Sequence, residues 1–418
     1  MSELKTLSTS YTTKYESNVR SYPHDFPEIF SYAKGSIIYS ENGNEYIDFF
    51  SGAGALNYGH NDDLIKKDLL RYISSDGIAH SLDMMTSAKE NFIKTLQSNI
   101  LLPRQLGYKV QFTGPTGANA VEAALKLSRK ITQRNNIAFY SNAFHGMSLG
   151  ALSVTSNPQK RAGAGIPLSN SVALPYEGSL GGNGAEIKYL KHILKKGSGI
   201  EKPAAIIMET IQGEGGVDSA SSAWLEDVYD IARENNILFI VDDIQAGCGR
   251  SGDFFSFDHQ IIKPDIVILS KSISGYGLPL ALILIKDEHD IWSPGEHNGT
   301  FRGNNHAFIT AQSAIENYWK EHIFIEEVKR KSKIIENALS TISSKKNNAT
   351  IKGRGFLRGI EFADRLEASK VQKKLFKEKI IIETSGVDAH VLKILPALNI
   401  PDNLLNEALD KIVQISTH

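Results

Sequence analysis

The chain contains very little cysteine: Cys248 is the single one in 418 residues, so no internal disulfide can form. An excess of charge of one sign is also lacking, because 46 basic residues balance 47 acidic residues and the formal net charge is -1. This balance gives no electrostatic reason to expect a nucleic acid or an anionic membrane as a partner. We therefore expect the ligand to be a small molecule.

Long apolar runs are absent as well. None approaches the roughly 20 residues that span a bilayer, and the amino terminus MSELKTLSTS lacks the apolar stretch of a secretion signal. These features predict a cytoplasmic protein that does not insert into a membrane. Apolar residues still make up 41% of the chain, which is enough for a sizeable core.

Short apolar runs alternate with amphipathic stretches through the middle of the chain. The runs predict strands at 109–112, 137–140, 204–208, 237–241 and 266–269, and the stretches predict helices at 119–132 and 223–235. This alternation predicts an α/β fold with a mostly parallel sheet, covered by helices on both faces.

The segments on either side of this core have a different character. Asn42-Gly43 separates two β-rich runs, which predicts a hairpin. After Trp319 a charged helix is followed by strand-like stretches at 351–363 and 379–397. We predict a large domain at 71–319, and a smaller α/β domain formed by an N-terminal segment, 1–70, together with 320–418.

The stretch FTGPTGANAVEAALKLSRK, residues 112–130, runs from a strand through a Gly/Pro/Thr turn into an amphipathic helix. Free N–H groups and the helix dipole at such a turn favour a phosphate group, with Gly117 and Ala118 as donors and Thr116 adding a hydroxyl. The alternative is an ordinary capped strand-to-helix turn. The stretch matches neither the dinucleotide nor the P-loop motif, so it gives no specific support for nucleotide binding.

Two further loops follow predicted strands. In NAFHGMSLG, Phe144 is placed to stack on a flat ring and His145 to lie beside it, although such a pair taken alone more often reflects packing than a site. In METIQGEGGVD, Glu214 is the candidate ligand-binding acid, since ligands of open α/β sheets lie at the carboxyl ends of the strands. The alternative for this acid is a solvated loop residue.

In ILFIVDDIQAGCGRSG an apolar strand runs into Asp242 and Asp243, followed by Gln245. A carboxylate there is costly to bury unless it meets a cation or a donor, and a protonated ring nitrogen would be such a partner. The alternative is a metal held by both acids. Adjacent strand residues point to opposite faces and no cluster of His or Cys lies nearby at ligand spacing, so we predict no metal.

In KPDIVILSKSISGYG, Lys271 comes two residues after an apolar strand. Burial at this position would lower the pKa of the amine and suit it to form a Schiff base. Exposed lysines are far more common than catalytic ones, so the position alone does not decide between the two.

Taken together and in this order, these motifs resemble those of the class III aminotransferases, fold type I enzymes that use pyridoxal 5′-phosphate. The resemblance covers about residues 25–400. Within the family, the stretches SGAGALNYGH, GPTGANAVEAALKLSRK, VDDIQAGCGRSG and PGEHNGTFRGNNHAF are similar to members that act on diaminobutyrate and 2-oxoglutarate, including those of ectoine synthesis.

The resemblance implies a role for each candidate residue. Lys271 would bind the cofactor and move the proton at the substrate carbon, Asp242 would keep the ring nitrogen protonated, and Gln245 would contact the phenolic oxygen. Further cofactor contacts are expected from Thr116, Gly117, Ala118, Phe144, His145 and Glu214. Thr300 would reach the phosphate of a neighbouring subunit, which implies a homodimer or tetramer with shared active sites.

Three positions depart from the family pattern. Asn119 replaces a glutamate that most members have, although the diaminobutyrate group shares the asparagine, and Ala246 replaces a valine. LKILPAL offers Lys393 where many ω-aminotransferases have an arginine that holds the α-carboxylate of 2-oxoglutarate. Lysine lacks the bidentate fork, so the carboxylate is expected to be held by Lys393, Arg302 or Arg354.

The resemblance implies transfer of the terminal amino group between L-2,4-diaminobutyrate and 2-oxoglutarate, with aspartate 4-semialdehyde and glutamate as products, or the reverse. Ornithine, lysine, 4-aminobutyrate or a polyamine could replace diaminobutyrate as the donor. A racemase or aminomutase that uses the same cofactor would contain the same motifs, and so would a non-catalytic protein that keeps the fold.

Overall fold

The computed structural model describes residues 10–418, so most of the amino-terminal stretch used to predict the absence of a secretion signal lies outside the described residues. The largest sheet has seven strands: β4 (Tyr108–Phe112), β5 (Ile137–Tyr140), β6 (Ser171–Leu174), β7 (Ala205–Met208), β8 (Leu238–Asp242), β9 (Ile266–Leu269) and β10 (Leu282–Lys286). Their spatial order is β4-β10-β9-β8-β7-β5-β6. Only β10 runs antiparallel to its neighbours in this sheet, so the predicted mostly parallel sheet is confirmed.

Both faces of this sheet are buried. Alternate residues of each strand point to opposite sides: Phe239 and Val241 belong to one apolar cluster, and Leu238 and Ile240 belong to another. One face packs against the helix that follows β4, and the other against the helix at Ser222–Glu234. Burial on both faces explains why the sequences of these strands are continuous apolar runs.

Thirteen helices surround the sheets in the described part of the chain, apart from 3₁₀ and π turns and a kinked turn at Ser51–Gly54. They are α1 (Tyr11–Tyr15), α2 (Tyr22–Asp25), α3 (Asp63–Ser74), α4 (Ser87–Leu96), α5 (Gly117–Thr132), α6 (Leu149–Ser153), α7 (Pro158–Ala162), α8 (Ala185–Ile193), α9 (Ser222–Glu234), α10 (Asn305–Tyr318), α11 (Ile323–Lys345), α12 (Glu367–Lys377) and α13 (Asp402–Thr417). None of the helices within residues 10–418 is both long and apolar enough to cross a membrane.

Two smaller sheets involve the ends of the chain. The first contains β1 (Phe30–Lys34), β2 (Ile37–Ser40), β3 (Glu45–Asp48) and β13 (Ile380–Ile381); the second contains β11 (Thr350–Arg354), β12 (Leu357–Glu361), β14 (Glu383–Ser385) and β15 (Val391–Ile394). β13 pairs in parallel with β3, so segments from both ends share one sheet. The predicted hairpin at Asn42-Gly43 connects β2 to β3. The domain limits at residues 70 and 319 stay predictions.

Candidate active site

Most of the candidate residues meet at one edge of the large sheet. β4, β5, β7, β8 and β9 run in one direction, so the loops after them emerge together. These loops enclose a cavity of about 280 Å³. Its lining includes Gly117, Ala118, Phe144, His145, Glu214, Asp242, Gln245 and Lys271.

Lys271 reaches into this cavity from the end of β9. Its backbone has a φ of 52°, a left-handed conformation that is strained for a residue with a side chain. Its Nζ donates a hydrogen bond to the backbone carbonyl of Ala53 at 3.0 Å. Desolvation lowers the pKa of the Lys271 ammonium although Glu214 opposes the shift. The surroundings therefore favour a neutral amine that can act as nucleophile and base.

Asp242 and His145 form a buried pair beside the lysine. Asp242 Oδ2 lies 2.6 Å from His145 Nδ1. Burial opposes the imidazolium, but the hydrogen bond and charge of Asp242, helped by Glu209, raise the pKa of His145 overall. His145 Nε2 is buried and has no partner within residues 10–418. Asp242 Oδ1 accepts a hydrogen bond from the N–H of Ile244, so its position is fixed from two sides.

Glu209 holds the loop that carries Phe144. Its carboxylate accepts hydrogen bonds from the backbone N–H groups of Phe144 at 3.1 Å and Gly213 at 3.3 Å. Desolvation raises the pKa of Glu209 to about 7. This carboxyl group also lines the cavity, and it links the aromatic loop to the loop of Glu214.

The amino end of α5 forms the cradle predicted for a phosphate. The Thr116 hydroxyl caps the helix by accepting from the N–H of Asn119, and the Asn119 side chain accepts from the N–H of Gly114 at 2.8 Å. Asn119 therefore has a local structural role. The N–H groups of Gly117 and Ala118 precede the first intrahelical bonds and are free for a ligand. A Cβ on Gly146 would lie 2.7 Å from Ala118 Cβ, so this glycine allows two loops to meet at the cradle.

Lys393 is fully buried between two carboxylates. Its Nζ lies 2.9 Å from Glu214 Oε1 and 2.8 Å from Glu383 Oε1, and 3.5 Å from Gln245 Oε1. Despite burial, Lys393 and Lys271 lower the pKa of Glu214 to about 2, whereas desolvation raises the pKa of Glu383 to about 7. The ammonium group of Lys393 is thus already neutralised in this structure and has no free side for a substrate carboxylate.

The other basic candidates lie outside this cavity. Arg354 donates hydrogen bonds to Ser219 Oγ at 2.6 Å and to the Ser256 carbonyl at 2.8 Å. Arg302 lines a separate cavity of about 330 Å³. Thr300 begins the short 3₁₀ turn that contains Arg302, and its carbonyl lies 2.7 Å from His80 Nε2. Thr300 is not among the described residues that line the cavity around Lys271.

A left-handed turn of the N-terminal segment completes the site; it lies in the stretch SGAGALNYGH, which supported the family resemblance without indicating a role for the turn. Ser51, Gly52, Ala53 and Gly54 all have positive φ values, between 48° and 82°. The Ala53 carbonyl accepts from Gln245 Nε2 at 2.9 Å as well as from Lys271, and the Gly54 carbonyl accepts from the Ser272 hydroxyl. A backbone acceptor carries no residue-type signal, so only the structure reveals it.

These features fit the expected cofactor. The cavity combines an aromatic ring at Phe144, free backbone donors at the start of α5, and an amine with a lowered pKa. Asp242 supplies a buried carboxylate on the same wall. This set provides a stacking surface, an anion site, a nucleophile and a partner for a cationic ring nitrogen.

Comparison with solved structures supports the fold. The chain superposes on an S-selective transaminase from Arthrobacter sp. with alanine bound, with a TM-score of 0.87 at 20% identity over 96% of this chain and 95% of that one. The ornithine aminotransferase from Toxoplasma gondii, in a crystal structure with partial occupancy of PLP at the active site, gives a TM-score of 0.81 at 24% identity over 97% and 93%. At these identities the likeness establishes the architecture.

Curated relatives are more similar in sequence. The diaminobutyrate--2-oxoglutarate transaminase of Nocardia farcinica is 50% identical over 405 residues, 97% of this chain and 93% of that protein. The protein of the same name from Vibrio cholerae is 50% identical over 403 residues, covering 96% and 98%. The family model for aminotransferase class III matches residues 20–416. The chain therefore belongs to the class III aminotransferases.

Proposed function

We propose that the protein uses pyridoxal 5′-phosphate to move the terminal amino group between L-2,4-diaminobutyrate and 2-oxoglutarate, giving aspartate 4-semialdehyde and glutamate or running in reverse. The observation that carries the proposal is the identity of about 50%, over nearly the whole chain, with relatives that share one transaminase name. The geometry at the sheet edge supports it, because each chemical group that such a transfer needs lines one cavity.

The cofactor, when bound, supplies an electron-withdrawing ring that stabilises negative charge on the substrate carbon that loses its proton. Gly117 and Ala118 would hold its phosphate, and Phe144 would hold its ring. Asp242, oriented by His145, would keep the ring nitrogen protonated. Glu214 lines the cavity beside these groups.

Lys271 is the group that moves protons. Because desolvation lowers its pKa, its amine is available to accept the proton from the substrate carbon. The Ala53 carbonyl orients the amine, and the same carbonyl holds the side chain of Gln245. One backbone oxygen therefore positions both the base and the amide that is proposed to contact the phenolic oxygen.

The proposal includes a homodimer, or a larger assembly of dimers, with Thr300 and Arg302 close to the active site of the neighbouring subunit. Two apolar side chains are exposed in the single chain: Phe301 at 66%, next to Thr300, and Met85 at 93%, in the segment after His80, whose ring contacts the Thr300 carbonyl. A second copy of the chain would cover them. Sedimentation analysis of the purified protein tests this part, and a monomer would contradict it. The cytoplasmic location and the role in ectoine synthesis stay predictions from the sequence.

The decisive experiment is a panel of amine donors with 2-oxoglutarate, in which kcat/KM is measured and the aldehyde product is identified. We expect L-2,4-diaminobutyrate to give the highest kcat/KM and aspartate 4-semialdehyde to form with an equal amount of glutamate. A higher kcat/KM with ornithine, lysine or 4-aminobutyrate would contradict the choice of donor. Conversion of an amino acid without consumption of 2-oxoglutarate would indicate a racemase or an aminomutase.

A further inference from the structure

We infer that Lys160 is a specificity-determining residue, and that its ammonium group binds the far carboxylate of both substrates. This inference rests on the proposed function. It concerns a residue of the short helix α7 that belongs to none of the sequence motifs.

Lys160 lies beside the cavity, where it contacts a residue of the lining. Its Nζ lies 4.2 Å from the centre of the Phe144 ring, and Phe144 lines the cavity. The charge of Lys160 also helps to lower the pKa of Glu214, although burial and the closer cations Lys393 and Lys271 have larger effects. The ammonium group is therefore near two residues that line the cavity.

The backbone that carries Lys160 is fixed, and its ammonium group lies over the Phe144 ring. Asn157 caps α7 by accepting from the Lys160 N–H at 3.1 Å. Arg161 NH1 donates to three backbone carbonyls, those of Leu152, Ser153 and Thr155, at 2.8 to 3.2 Å. The half-buried side chain of Lys160 forms no ion pair with any residue of the described range 10–418. A half-buried cation without an anion, on an anchored helix, is suited to bind an anionic ligand.

The other basic residues near the site are less suitable. The ammonium group of Lys393 already contacts two carboxylates, and the guanidinium group of Arg354 is bound to Ser219 and Ser256. Arg302 lines a separate cavity of its own chain, where its NH1 lies 4.0 Å from Asp83 Oδ2, and in the proposed dimer it would approach a site only as a residue of the neighbouring subunit. The amine of Lys271 is the base of the proposed reaction, so it does not bind the far carboxylate. Of these basic residues, only Lys160 lies over the ring of a residue that lines the cavity and forms no ion pair within residues 10–418.

The chemistry of the two substrates explains why one cation serves both. In L-2,4-diaminobutyrate the reacting carbon is C4, and the carboxylate carbon C1 is three bonds away. In 2-oxoglutarate the reacting carbon is C2, and the far carboxylate carbon C5 is also three bonds away. A cation fixed relative to the amine of Lys271 would hold both carboxylates at one place, although the two substrates enter in alternate half-reactions.

The test compares substrates with analogues that lack only this carboxylate. The analogue of diaminobutyrate is 1,3-diaminopropane, and the analogue of 2-oxoglutarate is 2-oxopentanoate. Rates of both half-reactions are measured in single turnovers for the wild type and for Lys160→Met, which keeps the chain length and removes the charge. Loss of a charge-assisted contact is worth roughly 10- to 100-fold. We expect the preference for each carboxylate-bearing substrate over its analogue to fall by about that factor.

Two variants separate binding from packing. Lys160→Arg keeps the charge and should restore most of both preferences. Lys188→Met removes an exposed lysine from α8 and should leave both preferences at the wild-type value. Equal losses with a substrate and its analogue in Lys160→Met would show that the residue only supports Phe144, and would overturn the inference. Loss of the preferences in Arg302→Ala but not in Lys160→Met would assign the carboxylate to Arg302 and would also overturn it.

A binding measurement on the loaded enzyme does not depend on turnover. Calorimetric titration with glutarate should give a Kd that is about 10- to 100-fold weaker in Lys160→Met than in the wild type. The affinity for pyridoxal 5′-phosphate should stay the same in both proteins; weaker cofactor binding in the variant would indicate a phosphate contact and overturn the inference. If the wild type transfers no amino group from any donor, the proposed function fails, and the glutarate titration still decides whether Lys160 binds a dicarboxylate.

Discussion

Asp243→Asn is expected to make the stability of the fold less sensitive to pH. Asp243 follows β8 and points away from the cavity that Asp242 lines. It is 1% exposed, its Oδ2 accepts from the N–H of Ser256, and its Oδ1 has no partner within residues 10–418. Desolvation, with smaller effects of Asp258 and Asp242, raises the pKa of Asp243 to about 7, although hydrogen bonds from Ser256 oppose the shift.

The sign and size of the effect follow from this pKa. The folded protein keeps the proton on Asp243 up to pH of about 7, whereas the unfolded chain loses it near the reference value of 3.8. Between these values the folded state binds more protons, so the free energy of unfolding falls as the pH rises, by about 1.4 kcal/mol per pH unit. From pH 5 to pH 7 the free energy of unfolding of the wild type therefore falls by about 3 kcal/mol, and that of the asparagine variant does not show this fall.

The assay is thermal unfolding of both proteins, with equal cofactor loading, at several pH values between 5 and 9. An unfolding entropy of about 2.1 cal/mol/K per residue corresponds to roughly 0.9 kcal/mol/K for a chain of this length, so about 3 kcal/mol shifts Tm by about 3 °C. The Tm of Asp243→Asn minus that of the wild type should rise by this amount between pH 5 and pH 7, and should be constant above pH 8.

A half-buried carboxylate provides the control. Asp265 is paired with Lys286 at 2.6 Å, and its pKa is lowered; burial opposes the shift, while hydrogen bonds from His289 and Lys286 cause it. Its stabilising effect is complete above the unfolded pKa and is lost at lower pH. Asp265→Asn should therefore lower Tm by the same amount across pH 5 to 9. A Tm difference for Asp243→Asn that is flat or falls with pH would refute the reasoning.

Three other substitutions test the site itself. Lys271→Ala should abolish turnover and the visible absorbance of the lysine-bound cofactor; full activity in this variant would disprove the central assignment. Asp242→Asn should lower kcat by about 10²- to 10³-fold, because a neutral side chain no longer stabilises the cationic ring nitrogen, and a wild-type kcat would exclude that role. Gly213→Ala should weaken cofactor binding and lower kcat, because its Cβ would collide with Gln245 Oε1. Gly163→Ala is the control and should match the wild type, because the space around Gly163 is open. Equal behaviour of the two variants in a cofactor titration would contradict the close approach of Gly213 to Gln245.

The buried sheet was predictable because its strands are short, apolar and bounded by breakers. The predicted strands at 137–140 and 266–269 match β5 and β9 to the residue. β6 and β10 were not predicted. β10 lies in an apolar stretch shortly after Lys271, and nothing local shows that it is a strand antiparallel to β9. Its direction depends on the connection 270–281, which contains only a short 3₁₀ turn and cannot make the long crossover that parallel strands need.

The site was predictable where its chemistry depends on residue type and order. Asp242, Gln245 and Lys271 follow strands that the apolar pattern had located, and the structure places all three on one cavity. The sequence did not reveal Glu383 as the second partner of Lys393, or Lys160 above Phe144. These contacts depend on how separate elements pack, and an acid or a lysine in a polar stretch looks like an ordinary surface residue.

The turn at residues 51–54 has a consequence for how the enzyme can be divided. Its Ala53 carbonyl holds the side chains of Lys271 and Gln245, which are about two hundred positions further along the chain. A fragment of residues 71–319 would contain every strand of the large sheet, yet the amine of Lys271 would lack this acceptor. The orientation of the Lys271 amine therefore depends on the N-terminal segment that contains this turn remaining in place. If a separately produced N-terminal piece restored activity to such a fragment, the turn would be able to orient the amine without a covalent link to it.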